Sequence, residues 1–325
     1  MKLLLDAYGL DAGPSVVLNA GAKAKSNLQV DVGIIGPKSI EDEATSKGLE
    51  FVHAAEEISM NEPNPAFAIR QKRDSSISKG LRLVKDGAYH GFVSGGSTGA
   101  LLAGGMTIVG RIPGIKRAAL MAPFPAKNRT VFMLDIGANA DCTSDLLYSF
   151  AVMAEKYLKT IVGIPHPSIM LLNNGTEEHK GSELTQETFK LLSQSQLNFK
   201  GNIEARYVFE GDCDIIVTDG FTGNIFLKTL EGVFQHFNFL LKDVAKNSWT
   251  AKIGLGLMYK PMKIKFASLD ASKHGGVPLL GLKKTVVKAH GSSDMNAFYN
   301  SIVVAKKTIE SGMIDELEKS FSKED

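Results

Sequence analysis

The stretch Ile215-Ile216-Val217-Thr218-Asp219-Gly220-Phe221-Thr222-Gly223-Asn224 decides the fold class. Three β-branched residues in a row, apolar on both faces, read as a short strand buried in a parallel sheet. Gly220 and Gly223 let the backbone approach a ligand. Thr222 or Asn224 can cap the helix that follows. Free N–H groups at such a helix start attract an anion. The same pattern recurs at Val93-Ser94-Gly95-Gly96-Ser97-Thr98-Gly99, at Leu134-Asp135-Ile136-Gly137-Ala138-Asn139 and at Leu171-Leu172-Asn173-Asn174-Gly175-Thr176-Glu177. Four strand ends with small polar turns suggest one phosphate-type site built from several loops.

Outward from these turns, strands and helices alternate. Residues 3–6, 29–35 and 51–54 read as strands, and 14–25 and 39–46 as helices. Residues 70–85 form a polar, basic helical region. Apolar residues at helical spacing mark 144–159, 223–241 and 295–309 as amphipathic helices. The alternation predicts an α/β fold with a mostly parallel sheet and helices on both faces, its ligand beyond the carboxyl ends of the strands.

Composition narrows the class. A chain of 325 residues, 44% hydrophobic, can bury a large core in one α/β unit or two lobes. A net charge of +2 gives no global signal for nucleic acid. Cys142 and Cys213 form no C-x-x-C pair and read as structural thiols of a reduced cytosolic protein. Residues 1–9 are too short and acidic for a signal peptide and read as a first strand. No run approaches the roughly 20 apolar residues of a membrane span. The dipeptide Gly-Lys is absent, so there is no Walker A loop; His-Glu-x-x-His and a G-x-G-x-x-G after the first strand are absent as well.

Gly95-Gly96-Ser97-Thr98-Gly99 matches a nucleophile elbow, with Ser97, Asp219 and His290 in hydrolase order. The plainer reading is a Gly-rich turn capping the next helix. In Lys288-Ala289-His290-Gly291-Ser292-Ser293-Asp294, His290 sits at a strand end before a helix, where it can serve as base or hydrogen-bond donor. The loop from Asn174 to Ser182 packs amide, hydroxyl, carboxylate and the Lys180 cation together; it reads as a substrate loop or as a solvated capping turn. Between Val244 and Leu269 there are five lysines and no acidic residue. Trp249, Ile253, Leu257 and Met258 alternate there with Lys252, Lys260, Lys263 and Lys265. An apolar-basic hairpin near 244–269 fits an anionic membrane, an acidic protein or a subunit interface.

Read in order, Gly110-Arg111-Ile112-Pro113-Gly114-Ile115, the turns at 134–139, 174–177 and 217–224, and the segment 288–294 resemble the PlsX family of bacterial acyl-carrier-protein:phosphate acyltransferases. The resemblance covers nearly the whole chain. Three positions depart from the usual family pattern: Tyr8 replaces a methionine, Leu10 a glycine, and Ser97 an asparagine that could not act as a nucleophile. The resemblance implies a three-layer α/β/α sandwich like that of phosphate acetyltransferases and isocitrate dehydrogenases, forming one catalytic unit and a homodimer. It implies peripheral membrane association, delivery of product to a membrane glycerol-3-phosphate acyltransferase, and no metal or nucleotide cofactor.

The expected reaction is direct attack of inorganic phosphate on the thioester of an acyl carrier protein. Phosphate is expected on the turns Gly95, Gly96, Ser97, Thr98, Gly99 and Thr222, Gly223, Asn224, with Ser292 and Ser293 nearby. Asn139, Asn174 and Thr176 are candidate oxyanion donors, with Glu177 and Lys180 lining the same pocket. His290 is expected to orient phosphate or protonate the leaving thiolate, and Asp219 to orient His290 or Lys228. An acidic carrier protein would dock on Arg70, Lys72 and Arg73 or on Lys252, Lys260, Lys263 and Lys265. The competing functions are a short-chain acyltransferase using acyl-coenzyme A, a serine hydrolase, and a non-catalytic membrane scaffold.

Overall fold

The computed structural model describes residues 1–258 and 275–322. Lys260, Lys263 and Lys265 lie outside the described residues. The strands are β1 (Lys2–Asp6), β2 (Asp31–Gly36), β3 (Glu50–His53), β4 (Gly91–Ser94), β5 (Ala119–Pro125), β6 (Thr130–Leu134), β7 (Ile169–Asn173), β8 (Phe199–Glu204), β9 (Ile215–Val217), β10 (Val277–Leu280) and β11 (Thr285–Lys288). They form one sheet in the order β3-β2-β1-β4-β11-β10-β5-β6-β9-β7-β8.

Most neighbours are parallel, but β10 is antiparallel to both β11 and β5, and β5 is antiparallel to β6. The strands β1–β4 and β11 therefore run one way, and β6–β9 run the other.

The helices are α1 (Pro14–Leu28), α2 (Glu41–Ser46), α3 (Pro65–Gln71), α4 (Ser76–Lys85), α5 (Thr98–Gly104), α6 (Ser144–Tyr157), α7 (Glu183–Ser193), α8 (Gly220–Asn247), α9 (Met295–Glu310) and α10 (Met313–Phe321). Strand residues alternate between the two faces. Leu4, Phe92, Phe124 and Ile216 join a core that runs across the whole sheet under α3, α4, α5 and the first turns of α8. On the opposite face, Leu3, Leu5 and Val93 pack on α1 and α9. Leu134, Ile215 and Val217 pack there on α6, α7 and α10. The result is the three-layer α/β/α arrangement expected from the sequence.

The expected basic helix over 70–85 is two helices. Ser75 caps the second, its Oγ accepting the Ser78 N–H at 3.3 Å, and Ser75, Ser76 and Ser78 are buried where a longer amphipathic helix would expose them. The expected helix 223–241 begins at Gly220 and runs to Asn247, 28 residues or about 42 Å. Phe226, Leu227 and Leu230 rest on the core. Val233, Phe239, Leu240 and Val244 farther along are exposed, as are Trp249, Ile253, Leu257 and Met258 in the helical residues 249–258.

Candidate functional site

Three adjacent parallel strands, β1, β4 and β11, end together and carry the loops 7–13, 95–99 and 289–294. Their register places Asp6, Ser94 and Lys288 in one row. Ser94 Oγ donates to Asp6 Oδ2 at 2.7 Å, and the Tyr8 N–H donates to Asp6 Oδ1 at 3.1 Å. Complete burial nevertheless raises the Asp6 pKa to about 6. Lys288 is also buried, and desolvation lowers its pKa to about 8 against the attraction of Asp6 and Asp11. Its Nζ donates to Gly95 O at 2.7 Å. Gly9 has φ +77°, and a Cβ there would lie 2.5 Å from Gly96 Cα, so the two loops interlock only through glycine. Leu10 fills the space left over Gly95: a Cβ on Gly95 would lie 2.4 Å from Leu10 Cδ2.

Ser97 is nearly fully buried, and its Oγ caps α5 by accepting the Ala100 N–H at 3.4 Å. The N–H groups of Ser97, Thr98 and Gly99 make no hydrogen bond among the described residues. His290 is exposed, and its Nδ1 accepts the Ser292 N–H at 3.2 Å, with Ser292 Oγ at 2.8 Å. That bond assigns the ring hydrogen of neutral His290 to Nε2, which makes Nε2–H a donor. Ser293 is buried, and its N–H donates to His290 O at 3.1 Å.

A second group of parallel neighbours, β6, β9 and β7, carries the loops 135–143, 218–224 and 174–182. Its centre is also a buried carboxylate. Asp135 accepts the N–H groups of Leu120 at 3.1 Å, Gly137 at 3.3 Å, Ala138 at 3.1 Å and Asn139 at 2.7 Å. Burial still raises its pKa. Asn139 gives one side-chain hydrogen to Asp135 Oδ2 and the other to Ala118 O. The 134–139 turn, expected to supply an oxyanion donor to a multi-loop phosphate-type site, is filled by the protein's own carboxylate, and Asn139 has no amide hydrogen left for an oxyanion. Cys142 beside it is half-buried, and burial pushes its thiol up to about 11.

Asp219 caps α8, one oxygen accepting the Thr222 N–H and the other the Thr222 hydroxyl, each at 2.8 Å. The Gly220 N–H donates to Asn139 O, and the Gly223 N–H to Asp219 O. Only Phe221 N–H remains free in this first turn among the described residues. Asp219 therefore serves neither His290 nor Lys228, and Lys228 instead pairs with Glu231 at 2.8 Å. Ser97, Asp219 and His290 are not joined as a hydrolase triad: Ser97 Oγ bonds to the Ala100 N–H, Asp219 to Thr222, and His290 Nδ1 to Ser292. Gly223 packs so tightly that a Cβ would meet Asp135 O at 2.0 Å, and Asn224 lies against Gly137.

The 174–182 loop is pinned through its backbone. Asn173 Nδ2 donates to Lys180 O, Asn202 Nδ2 to Glu177 O, and Gln186 Nε2 to His179 O and Gly181 O. The side chains of Asn174, Thr176, Glu177 and Lys180 are left exposed. Lys180 forms no ion pair among the described residues. Glu177 is held below the usual carboxylate range by its own backbone N–H, then by Lys180 and His179.

Arg70 and Arg73 are exposed on and just beyond α3, whose first residue, Pro65, packs on Gly99. Lys72 bends back to Glu57 O at 3.1 Å. Lys252 is exposed among the helical residues 249–258. Among the described residues, no group of three or more His, Cys, Asp or Glu side chains could hold a metal ion. No helix there is long and apolar enough to cross a membrane.

The site residues that sequence reasoning missed are Asp6, Asp135 and Lys288. Their signal was present: a lone charge directly ends an apolar strand, as in Leu5-Asp6, Leu134-Asp135 and Val287-Lys288.

The model of a family described as fatty acid synthesis protein matches residues 1–316. A phosphate acyltransferase of Thermoanaerobacterium thermosaccharolyticum is 40% identical over 99% of this chain and 97% of its own. One from Clostridium acetobutylicum is 41% identical over 99% of each. Among solved structures, a phosphotransacetylase from Streptococcus pyogenes matches with a TM-score of 0.61 at 20% identity, covering 95% of this chain and 94% of its own. A branched-chain phosphotransacylase from Enterococcus faecalis matches with a TM-score of 0.59 at 16% identity, covering 95% of this chain and all of its own. These two show a shared fold. With the family matched over nearly its full length and relatives at this identity, the chain belongs to the fatty acid synthesis protein family and is an acyltransferase.

Proposed function

We propose that the enzyme transfers an acyl group from acyl carrier protein to inorganic phosphate. The observation that carries this reading is the set of three consecutive N–H groups, at Ser97, Thr98 and Gly99, unpaired among the described residues. Over the same three positions the start of α8 offers two, at Asp219 and Phe221, and sets the Asp219 carboxylate beside them, so the 95–99 turn is the better phosphate cradle.

The two loop clusters end strands of opposite direction, yet they can face each other. Their central strands, β4 and β9, are five places apart in the sheet. At roughly 20–25° of twist per strand, the sheet turns through about 100–125° between them, which undoes most of the reversal. On this reading phosphate lies on the first cluster and the thioester on the second, where Asn174, Thr176, Lys180 and Asn224 supply donors.

A phosphate oxygen attacks the carbonyl carbon. The tetrahedral oxyanion collapses, the C–S bond breaks, and acyl phosphate and the carrier thiolate leave. His290 Nε2–H donates a hydrogen bond to the departing sulfur, and the thiolate takes its proton from hydrogen phosphate or solvent. Phosphate is already anionic at neutral pH, so positioning does most of the work, worth at best roughly 7–11 kcal/mol.

The carrier protein docks on Arg70 and Arg73, beside the 95–99 turn. The exposed apolar residues of α8 and 249–258, with Lys242, Lys246 and Lys252 among them, support a homodimer and peripheral contact with an anionic membrane. There the acyl phosphate passes to a membrane glycerol-3-phosphate acyltransferase for phospholipid synthesis.

Hydroxylamine trapping tests this reading, with phosphate and either acyl carrier protein or acyl-coenzyme A as donor. Hydroxamate that requires phosphate and the carrier protein supports it. Hydroxamate from coenzyme A alone would assign the short-chain alternative, and none from either donor would sink it.

A further inference from the structure

One peptide group in the first cluster is held at both ends. Its carbonyl, on Gly95, accepts from Lys288 Nζ at 2.7 Å, and its N–H, on Gly96, donates to Ser94 Oγ at 3.0 Å. Ser94 passes its own hydrogen to Asp6 Oδ2 at 2.7 Å. All three side chains are buried, at 0%, 0% and 8% exposure for Asp6, Ser94 and Lys288. A peptide between two glycines has a wide choice of orientation. This peptide directly precedes the three unpaired N–H groups.

We propose that Asp6, Ser94 and Lys288 clamp the Gly95–Gly96 peptide plane and so act as positioning residues, aiming the N–H groups of Ser97, Thr98 and Gly99 at phosphate. The inference rests on reading that turn as the phosphate cradle. A hydroxyl or a carboxylate alone would satisfy the Gly96 N–H. An ammonium on the carbonyl side adds what they cannot: the flipped peptide would turn its N–H toward a cation. Burying an opposite pair of charges is a poor way to gain stability, and neutral residues of similar shape commonly serve as well or better. Orientation explains why charges stand here. Asp11 also faces Lys288, and Glu57 and Tyr8 face Asp6.

The test is calorimetric titration of inorganic phosphate into the wild type, Ser94→Ala and the double variant Asp6→Asn/Lys288→Met. Melting temperatures and the phosphate KM and kcat with acyl carrier protein are recorded alongside. The expected result is phosphate binding weakened about tenfold in both variants. KM rises to match, kcat at saturating phosphate stays close to wild type, and the double variant melts no lower than wild type. Wild-type affinity in both variants overturns the proposal, as does a wild type that binds no phosphate. A loss of binding that only follows falling melting temperatures also overturns it. If the wild type binds phosphate but forms no hydroxamate, the acyl-transfer reading fails, while the binding data still decide on the clamp.

Discussion

Asn139 gives both hydrogens of its side-chain amide to the protein interior, one to Asp135 Oδ2 at 2.9 Å and one to Ala118 O at 2.8 Å. Its own carbonyl receives the Gly220 N–H at the start of α8. The residue ties three loop segments together. Asn139→Ala strands the buried Ala118 carbonyl, at about 1–3 kcal/mol, while Asp135 Oδ2 keeps the Asn139 N–H. Urea denaturation is expected to show a loss in that range, while activity per folded molecule in a cool assay stays within a few-fold of wild type. A loss of turnover with stability intact would return Asn139 to the catalytic group.

Lys180 has the opposite profile: an exposed ammonium with no ion pair among the described residues, on a loop pinned by its backbone. Lys180→Met is expected to lower kcat/KM about 10²-fold, the range for removal of one oxyanion donor. The denaturation midpoint should not move. Near-normal turnover in this variant would place the acyl donor elsewhere.

His290 offers Nε2–H to solvent and is held through Nδ1. A thiolate leaves readily without a proton, so His290→Ala is expected to slow turnover, by about 10²-fold, with phosphate affinity preserved. Loss of phosphate binding in calorimetry would show that His290 orients phosphate instead.

Asp6 makes stability depend on pH in a defined sense. Its pKa rises from 3.8 unfolded to about 6 folded. Between these values the folded chain keeps a proton that the unfolded chain has lost. Unfolding free energy therefore falls as pH rises from about 4 to 6, by roughly 2–3 kcal/mol from this group. The stability difference between wild type and Asp6→Asn, followed by urea denaturation across that window, should shift against the wild type as pH rises. A flat difference would place Asp6 in a more hydrated site.

An acidic carrier protein drawn to Arg70 and Arg73 is screened over about 8–10 Å at moderate salt. Turnover with limiting acyl carrier protein is expected to fall as salt rises, mainly in kcat/KM. Reversal of both arginines to glutamate should remove most of the salt dependence. An unchanged salt profile would exclude this docking face.

Much of the fold was legible because the chemistry is local. Ile215-Ile216-Val217 and its Gly turn are a strand end in any context, and so are Val93-Ser94-Gly95 and Leu171-Leu172-Asn173. The reversal of strand direction was not legible. It depends on β10 and β5, where Pro278, Pro123 and Pro125 argue against strands by local rules, and on a pairing of Leu279 with Leu120 far apart in the chain. The site divides the same way. Glycines that permit close approach can be read from sequence. Whether a turn's N–H groups face a ligand or a neighbouring aspartate cannot, because Asp135 and Asp6 differ in that respect only through the loops folded over them. The reading of Asp219 failed for that reason: a cap and a catalytic orienter share one sequence, and the Thr222 bonds decide between them.

The place of β11 between β4 and β10 has a consequence for synthesis on the ribosome. The first half of the sheet is closed by residues 285–288, which emerge last but for α9, α10 and the terminus. Until then β4 presents a bare edge, and Asp6 and Ser94 wait for the lysine that completes their row. The two ends of the chain must meet before the 95–99 turn takes its shape. A nascent or truncated chain stopping before Thr285 would expose an open strand edge to its neighbours, a hazard for aggregation.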